Sequence, residues 1–314
     1  MKKALIVGCS GQDGSYLVDY LAARKYTVAG IGRNTVLGAV PGGRAINICN
    51  GCEVRKLIAA FAPDEIYYLA AFHHASETLP GGEYDLIRQS FEINTLALHN
   101  FLDAIACESP RSRLFYAASS HVFGEPANTV QDEDTPLNPV CPYGISKAAG
   151  IHLCRYYRRR YNLFSSVGIL YNHESPHRAP TFVSRKVVNA AVSIRRRKQG
   201  KLVLGNLDAR IDWGYAPDYV DAMWRILQLD APRDFVISTG ELHSIRDLVE
   251  LAFETVGLNW RDYVEVDPAI ARKPRSGVLR GNSSRLQSCT GWHPVKGFRE
   301  MIEEMVKTEI EHAN

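Results

Sequence analysis

An α/β fold built on a Rossmann-type doubly wound parallel sheet, with a smaller C-terminal substrate-binding lobe, is what this sequence predicts. Three observations carry that expectation. A buried apolar run, Ala4-Leu5-Ile6-Val7, ends in a glycine turn, Gly8-Cys9-Ser10-Gly11-Gln12-Asp13-Gly14, and a helical pattern follows at once. Strands and helices then alternate through the first half, the rhythm of βαβ units and so of parallel strands. Far downstream stands Tyr143-Gly144-Ile145-Ser146-Lys147, a Tyr/Lys pair one helical turn apart.

The glycine turn sets the first element. Gly8 lets the chain turn tightly after the strand, Gly11 lets the backbone approach a pyrophosphate, and Gly14 lets the next helix pack on the sheet. That helix, over 14–25, directs its N-terminal amides and dipole at the phosphates. Strands are expected at 4–7, 27–31, 65–70, 113–118 and 164–170, with helices at 52–61, 91–107 and 147–161 between them. Beyond residue 172 the rhythm loosens. A helix over 181–199, a loop over 205–210, a helix over 218–229 and a strand over 234–238 come first. A helix over 244–256, a Pro/Arg-rich loop over 267–281 and a helix from about 295 follow. The division this implies is a dinucleotide-binding domain over 1–172, to which 212–240 returns, and a substrate lobe over 173–314.

Composition excludes more than it assigns. The 314 residues are 46% hydrophobic, enough for one large core or a core with a smaller lobe. A net charge of +3 with 23% charged residues gives no case for nucleic acid. The basic runs 158–160 and 195–198 sit in helical contexts and read as solvated faces or subunit contacts. No apolar stretch reaches the roughly 18 residues that span a bilayer. The run after Met1-Lys2-Lys3 breaks at Gly8 without a cleavage pattern, so a cytoplasmic protein is expected. Seven scattered cysteines, among them the single pair Cys49 and Cys52 at C-x-x-C spacing, read as free thiols in a reducing compartment, with no metal.

The chemistry sits around Tyr143. Lys147 can bind a nicotinamide ribose and, as a nearby cation, lower the pKa of the Tyr143 hydroxyl, which hydride transfer from a secondary alcohol requires. Ser119, closing the preceding strand, falls where a hydroxyl would orient that alcohol. Asn94 is either a backbone clamp near the site or a helix N-cap. The second strand ends Gly30-Ile31-Gly32-Arg33, with no acid for a ribose 2′-hydroxyl, so Arg33 favours the 2′-phosphate of NADP, with NAD the alternative.

Two further segments, Asn172-His173-Glu174-Ser175-Pro176 and Gly205-Asn206-Leu207-Asp208-Ala209-Arg210-Ile211-Asp212-Trp213-Gly214, point to a family. With Gly11-Gln12-Asp13-Gly14-Ser15-Tyr16-Leu17 and Phe182-Val183-Ser184-Arg185-Lys186, they make the chain resemble the GDP-mannose 4,6-dehydratases, extended short-chain dehydrogenase/reductases. The resemblance covers nearly the whole chain. It implies NADP, a GDP-hexose, oxidation at C4, loss of water across C5 and C6, and hydride return to C6. It implies a homodimer or homotetramer. The residues expected to hold the cofactor are Gly8, Gly11, Gln12, Asp13, Gly14, Arg33, Asn47, Ile48, Leu69, Tyr143 and Lys147. Asn172, Glu174, Arg185, Lys186, Gly205, Asn206 and Arg210 go to the nucleotide sugar.

The departures from the family pattern bear on the reaction. Where those dehydratases carry an acid/base glutamate, this chain reads Ser119-Ser120-His121. His121 is open to three readings: a replacement acid/base, since imidazole titrates near neutral pH, a hydrogen-bonding residue in an enzyme that does not dehydrate, or a structural histidine. The family's paired aspartates are Asn47 and Asn50, its Gln-Ser-His is Phe72-His73-His74, and the loop Arg272-Lys273-Pro274-Arg275-Ser276 lacks an acid. The segment between the second and third strands, which in the family reaches a neighbour's cofactor and builds a tetramer, is short. The expectation is a GDP-mannose 4,6-dehydratase-like enzyme. The alternatives are a GDP-sugar C4 oxidoreductase, GDP-heptose included, and a non-catalytic dinucleotide-binding protein.

Overall fold

The computed structural model describes residues 1–73, 82–198, 200–271 and 278–312. The chain begins β1 (Lys3–Val7), α1 (Gln12–Ala23), β2 (Thr27–Ile31), β3 (Val36–Gly38), α2 (Gly51–Phe61) and β4 (Glu65–Tyr68). It continues α3 (Glu83–Phe91), α4 (Ala97–Glu108), β5 (Arg113–Ser119), β6 (Val130–Gln131), α5 (Pro142–Tyr161) and β7 (Phe164–Leu170). Then come β8 (Asn172–Glu174), α6 (Val183–Arg195), β9 (Leu202–Leu204), β10 (Arg210–Tyr215), α7 (Ala216–Gln228), β11 (Asp234–Ile237) and β12 (Leu242–Ser244). The last are α8 (Ile245–Thr255), β13 (Val264–Val266), α9 (Pro268–Ala271), β14 (Arg280–Gly281), α10 (Ser284–Thr290) and α11 (Phe298–His312).

The expected sheet is present. Its order is β11-β7-β5-β4-β1-β2-β3, parallel throughout except where β3 returns antiparallel to β2. The chain winds outward one way through β2 and the other way through β4, β5 and β7, so β1 and β4 flank the switch point, where ligands of such sheets bind. Leu17 and Leu21 of α1 pack with Tyr219 and Met223 of α7 on one face. Val54, Phe101 and Ile151 of α2, α4 and α5 cover the other. A separate core joins α6, α8 and α11 through Val187, Leu248 and Met305.

Glycine is required where the first strand meets α1. Gly8 has φ +99°, and a Cβ on Gly14 would lie 2.2 Å from the Gly8 carbonyl oxygen. Any side chain at Gly14 would push α1 off the sheet. No described helix is long and apolar enough to cross a membrane.

Some expectations need correction. The helix expected over 91–107 is α3 running through a π-turn, Glu92–Leu96, into α4. Asn94 therefore sits mid-helix and is a clamp, not a cap. Helix α5 starts at Pro142 instead of 147, because a proline is well placed in a first turn and Cys141 caps it. The second half holds short strands that periodicity could not reveal. A three-stranded sheet, β12-β10-β8, extends the segment after β7 and fixes where the residues from Asn172 onward point.

Candidate active site

A cavity of about 460 Å³ opens where β1, β4, β5 and β7 end. The glycine turn from Gly8 to Gly14 forms one wall. Ser119, His121, Tyr143 and Lys147 form another, and Asn172, His173, Glu174, Arg178 and Phe182 a third. The central sheet aligns the strand ends. Helix α5 carries Tyr143 and Lys147 in its first two turns, and β5 delivers Ser119 into a short 3₁₀ turn, Ser120–Phe123, that holds His121.

Lys147 is buried, and its Nζ donates to the Ala117 carbonyl at 2.7 Å beneath the Tyr116 ring. Burial lowers its ammonium pKa to about 7. Burial pushes the Tyr143 hydroxyl up to about 12, against opposing pulls from the Ser119 hydroxyl and the Arg178 guanidinium. The expected lowering of Tyr143 by Lys147 is thus reversed. The lysine is turned to the end of β5, 5.8 Å from the Tyr143 ring, and desolvation outweighs the remaining charges. Asn94 fixes the α5 wall from behind. Its Oδ1 accepts from the Phe72 amide at 2.8 Å and its Nδ2 donates to Ser146 Oγ at 3.0 Å.

The opposite wall is an ion pair. His173 Nε2 lies 2.9 Å from Asp13 Oδ2, and its Nδ1 donates to the Tyr171 carbonyl at 2.7 Å. Both ring nitrogens face oxygen acceptors, an arrangement that favours the imidazolium. Burial opposes that charge, but Asp13 more than offsets it, and the His173 pKa is raised. For Asp13, burial is likewise overcome, by His173 first, and its pKa is lowered. Glu174 is held by Arg178 at 3.1 Å and by the Ser184 hydroxyl.

A family model described as GDP-mannose 4,6 dehydratase matches residues 5–305. The chain belongs to that family. GDP-mannose 4,6 dehydratase 2 of Arabidopsis thaliana is 36% identical over 333 residues, 99% of this chain and 88% of the plant protein. GDP-mannose 4,6 dehydratase of Homo sapiens is 34% identical over 346 residues, covering 98% of this chain and 91% of the human one. Among solved structures, RMD from Pseudomonas aeruginosa complexed with NADPH superposes with a TM-score of 0.86 at 22% identity, over 99% of this chain and all of that one. The Thermus thermophilus UDP-glucose 4-epimerase complex with NAD gives 0.81 at 25% identity, over 98% of each chain. These two share the fold, that of the extended short-chain dehydrogenase/reductases.

Twelve positions singled out from the sequence as site residues of this GDP-mannose 4,6-dehydratase family member share the cavity: Gly8, Gly11, Gln12, Asp13, Gly14, Leu69, Ser119, His121, Tyr143, Lys147, Asn172 and Glu174. Others lie outside its lining. Arg33 is exposed just past β2, where it can reach along the sheet edge. Asn47 Oδ1 accepts from the Cys49 amide at 3.0 Å, and the Ile48 carbonyl from Asn100 of α4 at 3.0 Å, so this turn is held by a local bond and by α4. Arg185 Nη2 donates to Glu309 of α11 at 2.6 Å, while Lys186 is half-buried on α6. Gly205 and Asn206 lie in the turn after β9, where Asn206 Oδ1 accepts from the Asp208 amide at 2.9 Å, and Arg210 is exposed at the start of β10. His74, Gln199 and the loop Arg272, Lys273, Pro274, Arg275 and Ser276 lie outside the described residues.

The cavity also holds residues that sequence reasoning missed. His73 sets its ring edge-on to Tyr143 at 4.6 Å and stacks on Phe182 at 5.3 Å. Arg178 lies over the other residue of that stack, 3.6 Å from the Phe182 ring centre. Cys141 lines the cavity beside His121. The available signal was position: His73 follows the β4 end at the switch point, and Arg178 follows the Asn172-to-Pro176 motif. Among the described residues no cluster of three or more His, Cys, Asp or Glu can hold a metal ion.

Proposed function

We propose that the chain is an NADP-dependent GDP-mannose 4,6-dehydratase-like enzyme in which His121 takes the place of the acid/base glutamate. The observation that carries this is that Ser119, His121, Tyr143 and Lys147 line one cavity with the glycine turn, in a chain matched to that family over residues 5–305. The turn suits a dinucleotide. Gly14 leaves no room for a side chain, and Gly11, the N-cap of α1, offers no side-chain cap, leaving the first amides of the helix for a phosphate. Arg33 stands at the end of β2, where an acid would select NAD. Residues 1–172, with 212–240 returning to the sheet, carry the cofactor in this reading, and 173–314 mainly carry the GDP-sugar of a homodimer or homotetramer.

A nicotinamide held by the glycine turn, Tyr143 and Lys147 would supply hydride transfer, from C4 and back to C6. The protein supplies the proton chemistry. Ser119 orients the C4 hydroxyl, and Tyr143 takes its proton. Lys147, its pKa near 7, supplies the amine that would hold the nicotinamide ribose beside Tyr143. With C4 a ketone, the C5 proton is acidic. His121 accepts it, the freed electron pair forms the C5–C6 double bond, and the C6 hydroxyl leaves with the proton that His121 returns, as water. Hydride return to C6 is then balanced by a solvent-derived proton delivered to C5.

A second reading, C4 oxidation or reduction without dehydration, is favoured by one observation, His121 itself in place of the glutamate. The Tyr143→Phe variant separates both readings from a protein that only binds dinucleotide. A loss of about 10²- to 10⁴-fold in substrate-dependent cofactor turnover is expected. Unchanged turnover would overturn the enzymatic reading altogether.

A further inference from the structure

We infer that Cys141 is a positioning residue for His121, its sulfur holding the imidazole by Nδ1 and so fixing the direction in which Nε2 works. This rests on the reading of His121 as acid/base. Cys141 Sγ lies 3.8 Å from His121 Nδ1, a contact within the range of a sulfur hydrogen bond.

Both ends of that contact are fixed. Cys141 is the N-cap of the 20-residue helix α5, and its sulfur also accepts the Gly144 amide at 3.4 Å. Pro142, next in the chain, restricts the backbone on one side. On the other side, the His121 amide donates to Ser119 Oγ at 3.3 Å. The two elements touch, since a Cβ on Gly144 would lie 2.5 Å from the His121 carbonyl oxygen. The Sγ–Nδ1 separation is thus set by helix against turn and not by two mobile side chains.

The chemistry of the partner decides what the histidine can do. Oxygen acceptors at both nitrogens favour a fixed imidazolium, as Asp13 at Nε2 and the Tyr171 carbonyl at Nδ1 do for His173. A thiol is a weak donor and a weak acceptor. It can accept from Nδ1–H while Nε2 is a base, and it keeps the contact when Nε2 carries the C5 proton. Among the described residues, Tyr143 faces the ring edge-on at 5.7 Å and His73 at 6.4 Å, with Ser119 at its backbone.

The test compares full-length wild type with Cys141→Ala, Cys141→Ser and His121→Ala. The first readout is the histidine C2–H NMR titration, which needs no turnover. The second is kcat against pH for water loss from GDP-mannose with NADP. In Cys141→Ala the apparent pKa of His121 should move by roughly 0.5, the scale of one weak hydrogen bond. Its kcat should fall about 10- to 100-fold with KM nearly unchanged. Cys141→Ser, which caps a helix at least as well and can both donate and accept, should recover most of both. A merely structural cysteine would leave the His121 titration in place, and that result overturns the inference. If His121→Ala abolishes water loss while Cys141→Ala alters neither readout, only the role of Cys141 falls. If His121→Ala still dehydrates at the wild-type rate, the acid/base reading of His121 falls and this inference with it.

Discussion

His173 and His121 line the same cavity from opposite walls, but they are held by different chemistry. His173 is gripped at both nitrogens by oxygen acceptors, buried, and joined to the glycine turn through Asp13. His121 meets a thiol at Nδ1 and sits half-buried on a short turn. The first arrangement fixes a charge and ties the cofactor loop to the segment after β7. The second, in the proposed reading, serves a ring that passes a proton. Imidazole alone therefore says little about role. Its acceptors decide between a strut and a catalyst.

The comparison breaks most sharply at His121. Replacing it with alanine should lower water loss about 10²- to 10⁴-fold while transient reduction of the cofactor survives, as stopped-flow absorbance would record. If both steps fell together, His121 would be a structural residue like His173.

Replacing Asp13 with asparagine should do the reverse, costing about 3 kcal/mol of stability by leaving the His173 charge buried without its partner. The pH dependence follows from the directions. The His173 contribution is complete below its ordinary value and is lost as pH rises through its raised pKa. The Asp13 contribution is complete above its ordinary value and is lost as pH falls through its lowered pKa. The pair therefore stabilises most between about pH 4 and 6.5. Denaturant unfolding should show the wild-type advantage over Asp13→Asn greatest in that window. An equal difference from pH 4 to 10 would count against the ion pair.

Lys147 sharpens the contrast, since it carries a catalytic charge that the fold disfavours. Its pKa near 7 means the unfolded chain holds more protons between about pH 7 and 10.5, so the penalty is full below pH 7 and relieved above it. Lys147→Met should raise the Tm by a few degrees at pH 6.5, lose that gain towards pH 10, and abolish activity. The smallest effect is at the rim. Arg33→Ser should raise KM for NADP about tenfold and leave that for NAD nearly unchanged.

The two histidines also mark what the sequence made legible. The sheet, the glycine turn and the Tyr143/Lys147 pair rest on short-range patterns, an apolar run, a glycine spacing and one helical turn. The Asp13–His173 pair joins the start of α1 to β8, residues 160 apart in sequence, and no local pattern in either segment announces it. The π-turn that aims Asn94 at Ser146 inserts a residue into a helix whose periodicity looks ordinary. The Cys141 contact depends on α5 pressing against the 3₁₀ turn, which the spacing of neither segment encodes. Arg185 was assigned to the substrate by resemblance, yet its guanidinium donates to Glu309, a partner supplied by the last helix.

The most direct measurement is mass spectrometry of GDP-mannose incubated with the protein and NADP in heavy water, with absorbance read in parallel. Loss of one water, one deuterium at C5 and no net reduction of cofactor is the result expected if His121 performs the acid/base step. Intact GDP-mannose, or a C4 ketone with stoichiometric reduced cofactor and no water lost, would contradict it and make the chain a C4 oxidoreductase.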